Sequence, residues 1–457
     1  MPSPVADTYS AASGQPVYAG RYLGARLTGA LTLADSAAVG VLGVNLSALS
    51  GALQLDDAAP AGALAGRVIP SWVSAAAVGT WGTVPATNTL ADLNPANNAA
   101  INPNYPAAPE WYNTQDRIIS AWNSMSVNQT TGELWIWGGG HGDYGGNEPY
   151  VFDPRSNTPS WVMRRYPSGA IGNPITDGGG GTAPAIVAAS ATGFYSDGRP
   201  RPIHTYNGIV YVPGRGMCAT NLYAVFPHVN GPSKAVYFNE ATNDWGLLSD
   251  YTSLGNSNAW NGGSCYDPSR NCVWLLGNGT FNMVKLDCAT GIGTRYGAVD
   301  NHAQRCTLKY DVASDLVYIL SESDSGGWLD FPSRMSVFDP VNSVFYVLPT
   351  PTGALPTSQI ISGNAIVWDE AGGRMLLWNY AGDRTQVGVL TRPAAGNLRT
   401  TAWAASSFTI DGSNTTTPPV AQVNGTFGRF DYLPNLGVCV LVNATNQPVY
   451  FFKVRSV

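Results

Sequence analysis

The sequence predicts an all-β fold: a β-propeller of about six blades over residues 67–457, its last blade closed by an N-terminal strand, with a small repetitive β arm, residues 1–66, in front. Three observations predict it. Gly (52), Pro (32), Trp (14) and Tyr (22) are abundant while only 12% of residues are charged, which suits short strands and tight turns and starves amphipathic helices of Lys and Glu. One four-strand pattern recurs from about residue 115 to the end, and residues 1–66 have a different texture with their own repeat.

The pattern is an alternating strand, a turn rich in Asp, Asn, Pro or Gly, and a strongly apolar strand ending in small residues. The first copy is the clearest: Ile118–Val127, a turn, Glu133–Gly140, then Tyr150–Pro154 and Trp161. A second runs from His204–Gly208 into the apolar Ile209–Gly214, then Ala235–Asn239 and Trp245. The third has Gly263–Pro268, Cys272–Gly277 and Met283–Asp287, and the fourth Cys306–Asp311, Leu316–Leu320 and Met335–Pro340. The fifth reads Ala365–Glu370, Arg374–Trp378 and Val387–Leu390, and the sixth Gly428–Leu433, Gly437–Val442 and Val449–Val454.

A ring of blades must close, because an unpaired last blade leaves a sheet edge open. The sixth copy has no downstream Trp strand, and Trp72–Ser74 or, better, Gly79–Pro85 can supply it. Residues Pro167 to Arg201 form a long connection rich in Gly, Ala and Pro, the kind that is functional or mobile.

These copies resemble the kelch and galactose-oxidase-like propellers, whose blade is an inner strand, an apolar strand closing on a double glycine, a strand ending in Asp-Pro and an outer strand marked by Trp. Gly138-Gly139 and Trp161 carry the resemblance in the first blade; the double glycine decays to Gly214-Arg215-Gly216 and Gly277-Asn278-Gly279 and then vanishes. A galactose-oxidase-like copper site would need two His and two Tyr, one Tyr crosslinked to Cys, and no segment reproduces it.

In the arm, Thr28–Gly43 returns from Ser50 as a second copy, 22 residues on, with Leu31/Leu33 matched by Leu53/Leu55. Such alternation suits strands with one apolar face, which two strands cannot bury alone. The expectation is a β element ordered by packing on another protein or another copy of this chain; the alternative is a low-complexity tail. Gly-Ala-Leu repeats ahead of a C-terminal β domain resemble the attachment arms of tailed-bacteriophage fibre and virion proteins.

A net charge of −6 with scattered Lys and Arg gives no basic stripe, so no nucleic-acid partner is expected. No apolar stretch reaches membrane-spanning length and the N-terminus lacks a signal-peptide pattern, so neither membrane insertion nor a cleaved signal is expected. Cys218, Cys265, Cys272, Cys288, Cys306 and Cys439 read as buried free thiols; Cys265 and Cys272 flank a turn and would pair only in an oxidising compartment.

The most conspicuous polar cluster is the glycine-rich loop Gly138–Glu148, where His141, Asp143 and Tyr144 stand among residues with little bulk; it could cradle a ligand, and its glycines equally serve a tight turn. His204 and His302 each precede a predicted inner strand and, with His141, could meet near the central channel; no metal and no cofactor is assigned on that basis. Trp260, Trp328 and Tyr380 lie in predicted loops beside Asn, Asp and Gly, where an aromatic face stacks on a sugar and polar neighbours bind hydroxyls. Asp143, Glu148, Asp324 and Asp330 lie in loops without an evident pairing for glycoside hydrolysis, and sialidase-type boxes are absent.

The function expected is therefore binding, without turnover. The resemblances imply a bacteriophage virion protein, a tail fibre, spike or capsid-attached component made in the host cytoplasm. Its arm would anchor it to other virion proteins as a homo-oligomer, and its propeller would present a surface for a cell-surface glycan or receptor. The alternative is a secreted lectin or carbohydrate-active enzyme on the same fold.

Overall fold

The hairpin turns show how local sequence builds the blades. Asn128, Asn239, Asp267, Asp287, Asp311, Asp339 and Asp369 each end a strand or follow it directly, and each side chain accepts a backbone N–H from two or three residues on, for example Ser269 N at 2.9 Å and Arg270 N at 3.1 Å for Asp267. Four residues after each of them the chain turns left-handed, at Gly132, Asn243, Asn271, Gly291, Asp315, Ser343 and Gly373. An Asx turn followed by a left-handed residue reverses the chain, which is why these turns favour Asp, Asn and Gly.

In the computed structural model the strands so connected form six antiparallel sheets, the blades of a six-bladed β-propeller. The structure describes residues 69–457 apart from 100–114, 141–142, 157, 169–192, 196, 223, 226–228, 231–232, 255–261, 277–281, 299–303, 323–334, 357–364, 379–381, 395–396 and 421–423. The predicted arm, residues 1–66, lies outside them, and so does most of the long connection in 167–201.

From the axis outward, blade 1 is Met125–Val127, Leu134–Ile136, Tyr150–Phe152 and Trp161–Met163; blade 2 is Ile209–Val212, Gly216–Ala219, Lys234–Asn239 and Asp244–Asp250. Blade 3 is Gly263–Asp267, Cys272–Leu276, Asn282–Asp287 and Gly293–Ala298; blade 4 is Gln304–Asp311, Leu316–Glu322, Ser336–Asp339 and Val344–Val347. Blade 5, Ala365–Asp369, Arg374–Trp378, Val387–Thr391 and Ala404–Ser407, takes Thr352–Gly353 as a parallel fifth strand.

Blade 6 is Phe430–Leu433, Val438–Leu441, Tyr450–Lys453 and, as predicted, the N-terminal strand Trp81–Thr83, with Trp81 opposite Phe452 and Thr83 opposite Tyr450. The first strands of blades 1 to 6 touch one another in succession, and the sixth touches the first, closing the ring. Six apolar clusters fill the spaces between successive blades; Trp135, Trp137 and Phe238 mark the one between blades 1 and 2, and Trp81, Trp378 and Phe452 the one between blades 5 and 6.

Three expectations are corrected. Residues 118–120, read as the head of the first inner strand, belong to the helical turn Arg117–Ser120, in which Ser120 N and Ala121 N donate to Asp116 O and Arg117 O, both at 3.0 Å. Ile209–Val212 is the inner strand of its blade and not its apolar second strand, because Gly214 and Gly216, with φ of 78° and 106°, form the hairpin that follows it. The six cysteines are free and buried, as read from the sequence, but Cys265 does not face Cys272: Cys265 lies opposite Trp274 and Cys272 opposite Asp267, an offset of one pleat.

Candidate functional site

The meander divides the connections between two faces. Hairpins joining first to second and third to fourth strands emerge at one face and are mostly tight turns, while the links from second to third strands and from one blade to the next emerge at the other. The loop Gly138–Glu148 belongs to this second face, where the inner strands begin and the central channel opens.

Three residues ahead of the inner strands of blades 1, 2 and 6 stand Trp122, Tyr206 and Phe427, with φ of 51°, 45° and 48°. Among the described residues the other non-glycine positions with positive φ are Asn, Asp and Ser in hairpin turns, types that tolerate this conformation; bulky aromatics do not, and strain of this kind gathers at functional sites. Rings hold the three together: Trp122 lies 4.7 Å from His204, and Tyr206 meets His204 edge-on at 5.7 Å and Phe427 at 5.6 Å. Tyr206 and Phe427 are buried, whereas Trp122 is half-buried.

His204 joins this row to the glycine-rich loop. Its Nε2 is 2.9 Å from Asp143 Oδ2 and its Nδ1 is 3.4 Å from the Tyr206 hydroxyl, the tautomer deciding which atom donates. His204 is shielded, while the Asp143 side chain is 30% exposed. Gly140 makes the approach possible: its φ is 89°, and a Cβ there would run into the Asp143 carboxylate and lie 2.7 Å from His204 Nε2.

The surroundings are pinned across three blades. Asn123 Oδ1 accepts the Thr205 N–H at 3.0 Å, Thr205 Oγ1 accepts the Ser124 N–H at 2.7 Å, and Tyr206 N donates to Trp122 O at 2.7 Å. From blade 6, the fully buried Arg429 donates to the carbonyls of Asn123, Val442 and Gly425; burial away from any carboxylate pulls its guanidinium down to about 9. The loop itself is fastened by Trp137 Nε1 to Asn147 O, by Tyr195 Oη to Gly145 O, and by Asn147 to Ser168 and Pro200.

Of the predicted site residues, the structure brings Asp143 to the channel mouth beside His204 and buries Tyr144 completely, its hydroxyl donating to Glu148 Oε1 at 2.6 Å. His141, Trp260, Trp328, Tyr380 and His302 lie outside the described residues. No group of three or more His, Cys, Asp or Glu side chains placed to hold a metal occurs among the described residues. Glu148 is sealed behind Tyr144, so it does not face Asp143 across an open cleft as glycoside hydrolysis would need.

Trp122 and Tyr206 were not singled out from sequence, yet a signal exists: Trp122-Asn123-Ser124, Tyr206-Asn207-Gly208 and Trp260-Asn261-Gly262 repeat an aromatic, an Asn and a small residue just before an inner strand. In the first two the Asn ties blades together: Asn123 Oδ1 accepts the Thr205 N–H of blade 2, and Asn207 Nδ2 donates across blade 3 to Cys306 O of blade 4 at 3.3 Å.

No protein-family model matches this chain, and no curated protein does. Among solved structures the chain is similar to a structural-genomics protein of unknown function from Bacteroides thetaiotaomicron VPI-5482, at 9% identity over 72% of this chain and 69% of that one, with a TM-score of 0.41. The six-bladed assignment rests on the strand pairings themselves. Among the described residues no helix is long and apolar enough to cross a membrane.

Proposed function

We propose that this chain is a bacteriophage virion protein, a tail fibre, spike or capsid-attached component, whose kelch-like propeller binds a cell-surface glycan at the channel mouth. The observation that supports binding there is the half-buried Trp122 indole, held at a strained φ beside a carboxylate fixed by His204. An aromatic face next to a pre-oriented acceptor is what recognises a pyranose ring, whose C–H face stacks while its hydroxyls donate. The virion assignment is supported by the 22-residue repeat of the arm, which in this reading docks on other virion proteins as a homo-oligomer.

A glycan array probed with the full chain and with Trp122→Ala, read for both retention and sugar release, tests the binding site. Retention lost in the variant, without release, is expected. Release of sugar would instead favour a carbohydrate-active enzyme on the same fold. Removal of residues 1–66 is expected to abolish incorporation into particles, and normal incorporation would refute the role given to the arm.

A further inference from the structure

Glu148 has no place in the ligand contacts described above, yet it is the most unusual ionisable group near them. It is buried in the apolar cluster between blades 6 and 1 with its side chain sealed from solvent. Oε1 accepts two hydroxyls, Tyr144 at 2.6 Å and Tyr150 at 2.8 Å, while Oε2 is buried with no hydrogen-bond partner. Gln115 Nε2 braces the far side, donating to Tyr150 Oη and to Leu90 O, both at 3.0 Å.

This cluster reaches the channel mouth through Tyr144. The Tyr144 ring lies against the turn, since a Cβ on Gly139 would sit 2.8 Å from its Cδ1, and Gly146 closes over the pair, where a Cβ would lie 2.5 Å from Glu148 Oε2. Tyr144 is also the chain neighbour of Asp143, the carboxylate that meets His204. Tyr144 thus stands between the Glu148 carboxyl, which its hydroxyl meets, and Asp143, its chain neighbour in the turn.

We propose that Glu148 is the positioning residue of the channel-mouth site, acting through Tyr144 to hold Asp143 against His204 and loosening that hold when its carboxyl takes up a proton. The inference deepens the glycan-binding reading and rests on it only for its consequence, a ligand affinity that changes with pH. Burial pushes the Glu148 carboxyl up to about 7, outweighing the Tyr144 hydroxyl, its own backbone N–H and the Tyr150 hydroxyl, so the change falls near neutrality. The groups facing it are the phenols of Tyr144 and Tyr150 and, behind them, the Gln115 amide; among the described residues no charged side chain contributes to its shift. A hydrogen bond to an ionised carboxylate is about twice as strong as one to a neutral acid, so the turn is held more firmly above pH ~7.

The test reads His204 and needs no ligand. The chain has four histidines, so the ring signals of the full-length protein with 15N-labelled histidine can be assigned by comparison with His204→Gln. Across pH 5–9 the wild-type His204 ring signals are expected to carry an inflection that follows Glu148. Glu148→Gln is expected to remove that inflection, and so is Tyr144→Phe, which removes one hydroxyl and leaves the Tyr150 bond. A His204 curve unchanged in both variants would overturn the proposal whether or not the site binds glycans. If Glu148→Gln fails to fold, Tyr144→Phe decides the matter alone.

Discussion

The strand that closes the ring is the most consequential single feature of the fold, and Trp81→Ala measures it. Trp81 is 4% exposed, packs against Trp378, Phe430 and Phe452 at centroid distances of 6.0, 6.1 and 5.1 Å, and donates from Nε1 to Thr385 O at 3.0 Å. Truncating a buried Trp costs about 3–5 kcal/mol, and the lost hydrogen bond adds about 1 kcal/mol. A loss of about 5 kcal/mol is expected from the urea midpoint and slope. The variant should also aggregate on warming, because loosening Trp81–Thr83 uncovers the Tyr450–Lys453 edge. Deleting residues 1–66 should leave the midpoint unchanged. If Trp81→Ala shifts stability by less than about 1 kcal/mol, the strand does not latch the ring and the closure argument fails.

Other consequences follow from named contacts. Asp311 has a fully buried side chain that pairs with Arg392 of blade 5 and accepts the Ser314 hydroxyl at 2.5 Å; Asp311→Ala should cost about 3–5 kcal/mol in denaturant unfolding. Glu148 has its pKa raised by burial from 4.5 to about 7, so its contribution to stability is full below about pH 4.5 and is lost as pH rises through about 7. The loss is about 3 kcal/mol, and a melting series from pH 4 to 9 should lose that decline in Glu148→Gln. Burial raises the thiols of Cys218, Cys265, Cys272, Cys288 and Cys439, so a thiol reagent at pH 8 should label the native protein far more slowly than the unfolded chain. Gly140→Ala should both abolish ligand binding and lower the melting temperature, because its φ of 89° strains any side chain and the added methyl runs into the Asp143 carboxylate and the His204 ring.

Much of the fold was legible because its turns are local chemistry. Asp267, Asp311, Asp339 and Asp369 each spell an Asx turn at the end of a strand, and a strand on either side is then forced. Trp81 was legible as the missing edge because a sheet with three strands and no partner is incomplete. Blade 2 was misread because Ile209–Val212 is as apolar as a second strand; its neighbour, the inner strand of blade 3, settles its place through the bridge between Asn207 and Gly263, which no local pattern encodes.

The channel mouth was only half legible. Asp143 stood out through the glycines around it, but His204, Trp122 and Tyr206 come from two blades and meet only when the ring closes. Trp122 sat in what reads as a strand, since Ile118 to Val127 is apolar enough to pass for one, and a positive φ on an aromatic residue is fixed by its surroundings rather than by its own preference. Tyr144 looked like a ligand contact because its neighbours are small, and those same small residues are what let its ring sink into the core.

The most direct measurement is a calorimetric titration of the best array glycan into the full-length wild type and Trp122→Ala at pH 8. A glycan seated on the indole loses at least about tenfold in affinity, or about 1.4 kcal/mol, with the heat of unfolding unchanged. Affinities equal within about twofold, or no glycan retained by the wild type, would contradict recognition at the channel mouth.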